Sequence, residues 1–428
     1  MIAIGATLPF GLTSRFFDTH TRNSSNATII SKIENEIILH GRRNNRAWFG
    51  PEIGVIPGNE KNVPTVIIKA YILTGNDVGI HFYLKTNDLG KTWSNPVLCQ
   101  NWHKIPLGDD IFETASFGFL YHKMTNKLIG IGRTGFEQDM GYANYSPLQK
   151  GKALIWPSEL KRSVAYTLWN PIKEDFEPWV KMKLPENHNL TVSSNSQFHE
   201  NDDGTILIPG YYPSPPGEEE NNKYTKVTVL RFRFNGTELQ YIEHGTIHSM
   251  NEARGLAEPS LVYYNGKYYM TIRHDLRAYV TSSEDGLHFK EIKAWRFDNG
   301  EELGNYNTQQ KWLKHNDTLY LVYNRKSELN NGVFRGRAPL FIAEVDTEKL
   351  LVRRKTERVV FPEKGARMGN FDIANVADNE SWVVTGEWLE GIFSHSKKSD
   401  RFWVDWHDAN YNQFIGDLLL ARVFWNKV

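Results

Sequence analysis

Hydrophobic positions in this chain gather into short runs separated by polar turns, and the runs recur in small groups. The clearest group covers residues 258–289, EPSLVYYNGKYYMTIRHDLRAYVTSSEDGLHF. Residues 261–264 run into Asn265-Gly266, a dipeptide that accepts φ > 0 at both positions and so favours a two-residue hairpin. Residues 267–273 alternate apolar and polar side chains, as a strand does. A charged loop, His274-Asp275-Leu276-Arg277, leads to a third run at 278–282 and a tight turn beyond it. Three short antiparallel strands with a fourth past the turn make one blade of a β-propeller.

The same grammar returns at spacings of roughly 50 to 80 residues, at or beyond the upper end for propeller repeats. Blades are predicted over residues 51–98, 113–180, 196–245, 257–295, 307–362 and 370–425. The last group has no run left for an outer strand. The apolar, β-branched segment 27–39 belongs to no blade of its own. It is expected to supply the missing strand and close the ring, which removes the sheet edges. The predicted fold is therefore all-β: a single six-bladed propeller over residues 1–428, with seven blades or an irregular pair of sandwiches as alternatives. Two long polar stretches, 135–161 and 391–412, lack periodicity and read as surface loops over one face.

Composition narrows the partners. Among 428 residues, Lys plus Arg and Asp plus Glu stand at 50 each, which argues against bulk electrostatic binding to nucleic acid or to an anionic membrane. No apolar run reaches the roughly 18 residues of a membrane span. A single cysteine excludes an internal disulfide and a cysteine-based zinc site, and no metal or cofactor is expected. Aromatic content of 13% suits a turn-rich β protein or one that stacks on sugars. The N-terminus, MIAIGATLPFG, has no basic n-region or apolar h-region. At face value the location is the cytoplasm; with a leader removed it is the periplasm or the exterior.

Two turns carry a motif. Thr86-x-Asp88-x-Gly90-x-Thr92-Trp93 and Ser282-x-Glu284-x-Gly286-x-x-Phe289 each set a hydroxyl and an acid ahead of a glycine and an aromatic. Hydroxyl and acid bond the turn amides, glycine takes φ > 0, and the aromatic packs beneath. The pattern closely resembles the Asp-box of the sialidase superfamily, Ser/Thr-x-Asp-x-Gly-x-x-Trp/Phe, with Glu for Asp in the second copy. Together with the blade grammar, the resemblance covers most of the chain and implies a sialidase-type propeller. The motif is structural and by itself implies no chemistry.

In a propeller the starts of the first strands and the ends of the second strands converge on the axis. The starts offer Glu52, Glu113, Gln197, Glu258, Gln309, Gln310 and Asp372. The ends offer Arg133, Tyr211, Arg273, Arg325 and Glu387, and adjacent loops add Arg254, His274, Asp275, Arg277, Asn307, Arg335 and Arg337. Arginines facing carboxylates around one axis suit a carboxylate-bearing sugar, because guanidinium binds carboxylate bidentately. The plainer alternative is a set of ion pairs that hold the blades together.

Sialidases use three arginines on the substrate carboxylate, a Tyr nucleophile paired with a Glu, and an Asp acid/base. By resemblance, Glu258 matches the paired Glu, Arg273 the second arginine, and Arg337, or alternatively Arg335, the third. The first arginine's place holds Gly50 within Phe49-Gly50-Pro51-Glu52-Ile53, with Arg46 nearby. The nucleophile's place, in Gly369-Asn370-Phe371-Asp372, holds Asn370, and Tyr306 is the nearest alternative by position. The leading expectation is an exo-type glycoside hydrolase that cleaves an acidic glycan. Glu258 and a second acid (Asp275, Glu113 or Asp372) share acid, base or nucleophile roles. Arg254, Arg273 and Arg337 hold the carboxylate, while Gln197, Asn307 and Gln310 read hydroxyls. A uronate lyase is the alternative, with His199, His274 or Tyr306 moving the proton. A non-catalytic glycan-binding propeller is the third reading.

Overall fold

The computed structural model describes residues 30–41, 48–58, 63–73, 79–102, 105–108, 111–138, 163–185, 191–212, 224–330, 333–364, 366–387 and 416–426. Arg46, the stretch 391–412 and all but the first residues of 135–161 lie outside them. Six antiparallel sheets follow one another in chain order. Blade I starts with an inner strand at Trp48–Ile56 and a second at Thr65–Leu73. The corresponding pairs are Ile111–His122 and Lys127–Gln138 in blade II, and His199–Glu200 and Thr205–Tyr212 in blade III. They are Ala257–Tyr264 and Lys267–Arg273 in blade IV, Lys311–His315 and Thr318–Tyr323 in blade V, and Phe371–Ala377 and Glu380–Gly386 in blade VI. The prediction of a six-bladed ring is borne out. So is its closure: the strand Ile30–Leu39 lies against Leu418–Trp425, with Ile33 opposite Val423 and Ile37 opposite Leu419.

Each blade is buried on both faces, and this is what holds the ring. In blade I, Val66, Ile68, Ala70 and Ile72 pack toward Trp382 and Val384 of blade VI. Ile67, between them in sequence, packs the other way, onto Phe117 and Leu128 of blade II. The run Val66-Ile67-Ile68 is thus continuously apolar because both of its faces need apolar side chains. One such cluster fills each of the six junctions between neighbouring blades. A fully buried Val or Ile contributes about 1.5–3 kcal/mol, so the junctions carry most of the stabilisation.

The hairpin in blade IV forms as its sequence requires, with φ of 47° at Asn265 and 77° at Gly266. In the turn after the third strand of blade I, the Thr86 hydroxyl donates to Asp88 at 2.7 Å and accepts from the Gly90 amide at 2.9 Å. Asp88 accepts from the Thr92 amide and hydroxyl at 3.0 and 2.6 Å. Those bonds hold its carboxyl down at about 2. The corresponding turn in blade IV is displaced by one residue from the motif as predicted. Its hydroxyl is Ser283 and its acid is Asp285, which accepts from the Leu287 and His288 amides at 2.9 and 2.8 Å. Ser282 and Glu284 do not take these parts. The reason is the pleat: Ser283 faces inward and is 1% exposed, whereas Glu284 projects outward to Lys267 and Lys290.

The centre of the ring is polar. Lys311 of blade V donates to Asp372 of blade VI at 2.6 Å, with Glu52 of blade I 3.8 Å from the same ammonium. Asp372 also accepts the Ile53 and Ile373 amides, each at 2.8 Å. Burial first, and the Asp372 charge, push the Glu52 carboxyl well up against the opposing pull of Lys311.

Candidate functional site

A cavity of about 510 Å³ opens on the axis where second strands end. Four of those ends line it: Tyr71, Arg133, Tyr211 and Arg273, one from each of blades I to IV. Loops add Arg254, His274, Asp275, Arg335, Arg337 and Arg367, and blade VI adds Asn370. Among the described residues, six arginines therefore share one cavity with two carboxylates, Glu258 and Asp275.

Glu258 reaches the cavity because its backbone is bent to send it there. The inner strand of blade IV shifts register between Ala257 and Ser260, and Glu258 within that bulge has φ of 42°. Arg273 Nη1 donates to its carboxylate at 2.6 Å. Burial acts to raise this carboxyl, but the charge and hydrogen bond of Arg273, with the fields of Arg133 and Arg337, hold it below its ordinary value. Asp275 is gripped from both sides by Arg254, Nε to Oδ2 and Nη2 to Oδ1, each at 2.6 Å. That pairing lowers the Asp275 carboxyl against the opposing effect of burial. Both acids are therefore ionised at neutral pH.

Blade I repeats the same bulge between Phe49 and Glu52, and there the bent residue is Gly50, with φ of 53°. A Cβ on Gly50 would stand 2.5 Å from the Tyr71 ring. Tyr71 thus fills the space that a side chain at position 50 would need, which is the local reason that no arginine sits there.

Arg337 is 6% exposed, and burial together with the like charges of Arg367, Arg273 and Arg335 lowers its proton affinity well below the ordinary arginine value. Arginine does not deprotonate in proteins, so Arg337 stays charged among these cations, with Glu258 opposing their effect. Its Nη2 donates to the Asn307 carbonyl at 2.7 Å, and Nε has no hydrogen-bond partner among the described residues. Arg133 Nη1 donates to the Tyr211 hydroxyl at 2.7 Å.

Of the predicted site residues, the structure gathers Glu258, Asp275, His274, Arg133, Arg254, Arg273 and Arg337 around the cavity, with Asn307 bonded to three of the arginines. His274 is there without a free nitrogen. Nδ1 accepts from the Leu276 amide at 3.3 Å and Nε2 faces the Glu252 carbonyl at 3.1 Å, so the ring braces its loop. Several others are elsewhere. Glu113 pairs with Lys181 at 2.6 Å, because the pleat turns it away from the cavity that its neighbour Thr114 lines. Gln197 brackets the Trp312 backbone at 2.8 and 2.6 Å, and Gln310 accepts from Thr271 at 2.9 Å, so both tie blades together. Asp372 is committed to the axial core described above. Arg325 sits just past its strand and turns to Glu357, with bonds of 2.8 and 2.7 Å. His199 packs between Tyr263 and Tyr268, and burial lowers it to about 4. Tyr306 stacks against Lys326, 4.3 Å from ammonium to ring centre, and is not among the described residues that line the cavity. Sequence reasoning missed Tyr71 and Arg367. Tyr71 was reachable from its second-strand end; Arg367 sits in the approach to blade VI, where only the inner strand was searched.

These features define a sialidase-type six-bladed propeller. No protein-family model matches the chain, and no curated protein sequence does. Solved structures do. The NanB sialidase of Streptococcus pneumoniae is similar over 95% of this chain and 70% of its own, at 10% identity and a TM-score of 0.56. The phage phi92 endosialidase is similar over 90% of this chain and 68% of its own, at 14% identity and a TM-score of 0.52. The intramolecular trans-sialidase of Ruminococcus gnavus, solved with oseltamivir carboxylate, is similar over 88% of this chain and 94% of its own, at 12% identity and a TM-score of 0.53. At such identities the likeness is one of fold.

Proposed function

We propose that the protein is a glycoside hydrolase that cleaves a sugar bearing a carboxylate from an acidic glycan. The observation that carries this reading is the axial cavity itself, where Arg337, buried, meets the like charges of Arg367, Arg273 and Arg335 beside Glu258. Such a field is costly unless an anion enters it. Arg337 and Arg273 bind the sugar carboxylate, with Arg254 beside them. Glu258, ionised and bonded to Arg273, activates the attacking group. Tyr211, which lines the cavity with its hydroxyl oxygen held by Arg133, takes that part, since Asn370 replaces the tyrosine that sialidases carry on the sixth blade. Asp275 delivers the proton to the leaving oxygen. Arg254 favours its charged form, so the proton-loaded state grows as pH falls and turnover rises toward acid.

Elimination has less support here. His274 spends both nitrogens on its loop, His199 packs between Tyr263 and Tyr268, and neither His199 nor Tyr306 is among the described residues that line the cavity. The fold likeness to three sialidases points the same way as the cavity.

The test is incubation with sialosides, glucuronides and pectic oligosaccharides, followed by mass spectrometry and absorbance near the unsaturated-uronate band. Cleavage with gain of one water is expected, lost by about 100-fold or more in Glu258→Gln. Cleavage without water and with new absorbance would replace hydrolysis by elimination. Retained binding without cleavage on every substrate would leave a glycan-binding propeller.

A further inference from the structure

Three arginines of the cavity meet at one uncharged residue, Asn307. Its side-chain Oδ1 accepts from Arg273 Nη2 at 2.7 Å and from Arg254 Nη2 at 3.3 Å. Its carbonyl accepts from Arg337 Nη2 at 2.7 Å. Its amide donates to the His274 carbonyl at 2.8 Å, which ties the blade IV loop to the entry of blade V. The backbone there has φ of 48°, a region in which asparagine is enriched several-fold over other non-glycine residues. These bonds spend the side-chain oxygen, the carbonyl and the amide of Asn307 on cations or on their loop.

The choice of a neutral acceptor matters. Arg273 and Arg254 each already hold one carboxylate, Glu258 and Asp275. A third carboxylate at position 307 would bind them more tightly, but it would also repel an incoming anion. An amide oxygen aligns guanidiniums and leaves their charge for a ligand. Alignment before binding spares the ligand the entropy of ordering long side chains.

We propose that Asn307 is a positioning residue that sets Arg254, Arg273 and Arg337 as one receptor for a carboxylate, and that its lack of charge is what keeps the receptor open to anions. This rests on the acidic-glycan reading and adds to it the residue that assembles the arginines.

Two substitutions separate shape from charge. Asn307→Gly deletes the side chain at a φ that glycine accepts. Asn307→Asp keeps the shape and adds a charge. Calorimetry on the full chain with 3′-sialyllactose and a glucuronic-acid-terminated disaccharide, with lactose as the neutral control, reads binding. Thermal unfolding at low and high salt reads the contact with the arginines. Both variants should weaken the acidic probes by about tenfold or more and leave lactose unchanged. Asn307→Asp should nevertheless melt above the wild type at low salt, with the gain lost at high salt. A purely structural role would leave Asn307→Asp binding acidic probes as tightly as the wild type, and that result overturns the proposal. If the wild type binds none of the acidic probes, the acidic-glycan reading fails. The melting arm then still decides for Asn307: a raised, salt-sensitive midpoint in Asn307→Asp supports its grip on the arginines, and an unchanged or lowered one overturns it.

Discussion

Glu387, just past the second strand of blade VI, makes stability fall as pH rises through the neutral range. It is 2% exposed. Burial first, and then the neighbouring Asp417 carboxylate, push its pKa from an ordinary 4.5 up to about 8. Asp417 is the better-served partner: one oxygen accepts the Gly41 amide at 2.8 Å and the other faces His40 Nδ1 at 3.5 Å. The proton of the pair therefore belongs on Glu387. A folded-state pKa above the unfolded one means that the folded protein binds this proton more tightly. Its contribution is complete below about 4.5 and is lost progressively as pH climbs to about 8. One pKa unit corresponds to about 1.4 kcal/mol, so the slope is about 1.4 kcal/mol per pH unit, or about 3 kcal/mol between pH 5 and 7. Glu387→Gln keeps the shape and abolishes the titration. Urea unfolding of both proteins across pH 5 to 8 isolates the effect, because every other titrating group is common to the two. The variant should gain on the wild type at that slope up to about pH 8 and run parallel above it. A difference that stays constant with pH would refute the protonated assignment.

Two further outcomes follow from the fold. Asp285→Ala removes the acceptor of two turn amides and should cost about 1–3 kcal/mol, whereas Glu284→Ala loses only exposed lysine contacts and should stay within about 0.5 kcal/mol; reversed urea midpoints would restore the turn register read from sequence. Lys311→Met strips the axial acids Asp372 and Glu52 of their shared cation and should cost about 3–5 kcal/mol. Adding Asp372→Asn to it should recover much of that loss in a double-mutant cycle, and strict additivity would show that the pair is not coupled.

The architecture was legible because period-2 runs, an Asn-Gly hairpin and turn chemistry all follow from local rules. The closing strand was legible by subtraction, since one apolar segment had no blade and one blade had no outer strand. Single-residue phase was harder. In Ser282-Ser283-Glu284-Asp285 either serine and either acid fits the motif, and only the buried face of the strand decides between them. A blade buried on both faces offers little alternation to fix that phase.

The same limit explains which site residues were found. Starts of inner strands point mostly into the axial core or across to a neighbouring blade, as Glu52, Asp372, Gln197 and Gln310 do. Glu258 escapes because a bulge with φ of 42° re-aims it, and blade I spends the matching bulge on Gly50. Ends of second strands serve the cavity in blades I to IV, but blade V turns Arg325 to Glu357 and blade VI turns Glu387 to Asp417. On that side loops take over, with Arg335, Arg337 and Arg367. The cavity is therefore built half from strands and half from loops. The strand half follows from periodicity, while no periodicity places a loop arginine. Arg337 was reached as one of several loop residues beside a strand end and singled out through resemblance to a family, whereas Arg367, which neither route marks, was reached only in three dimensions.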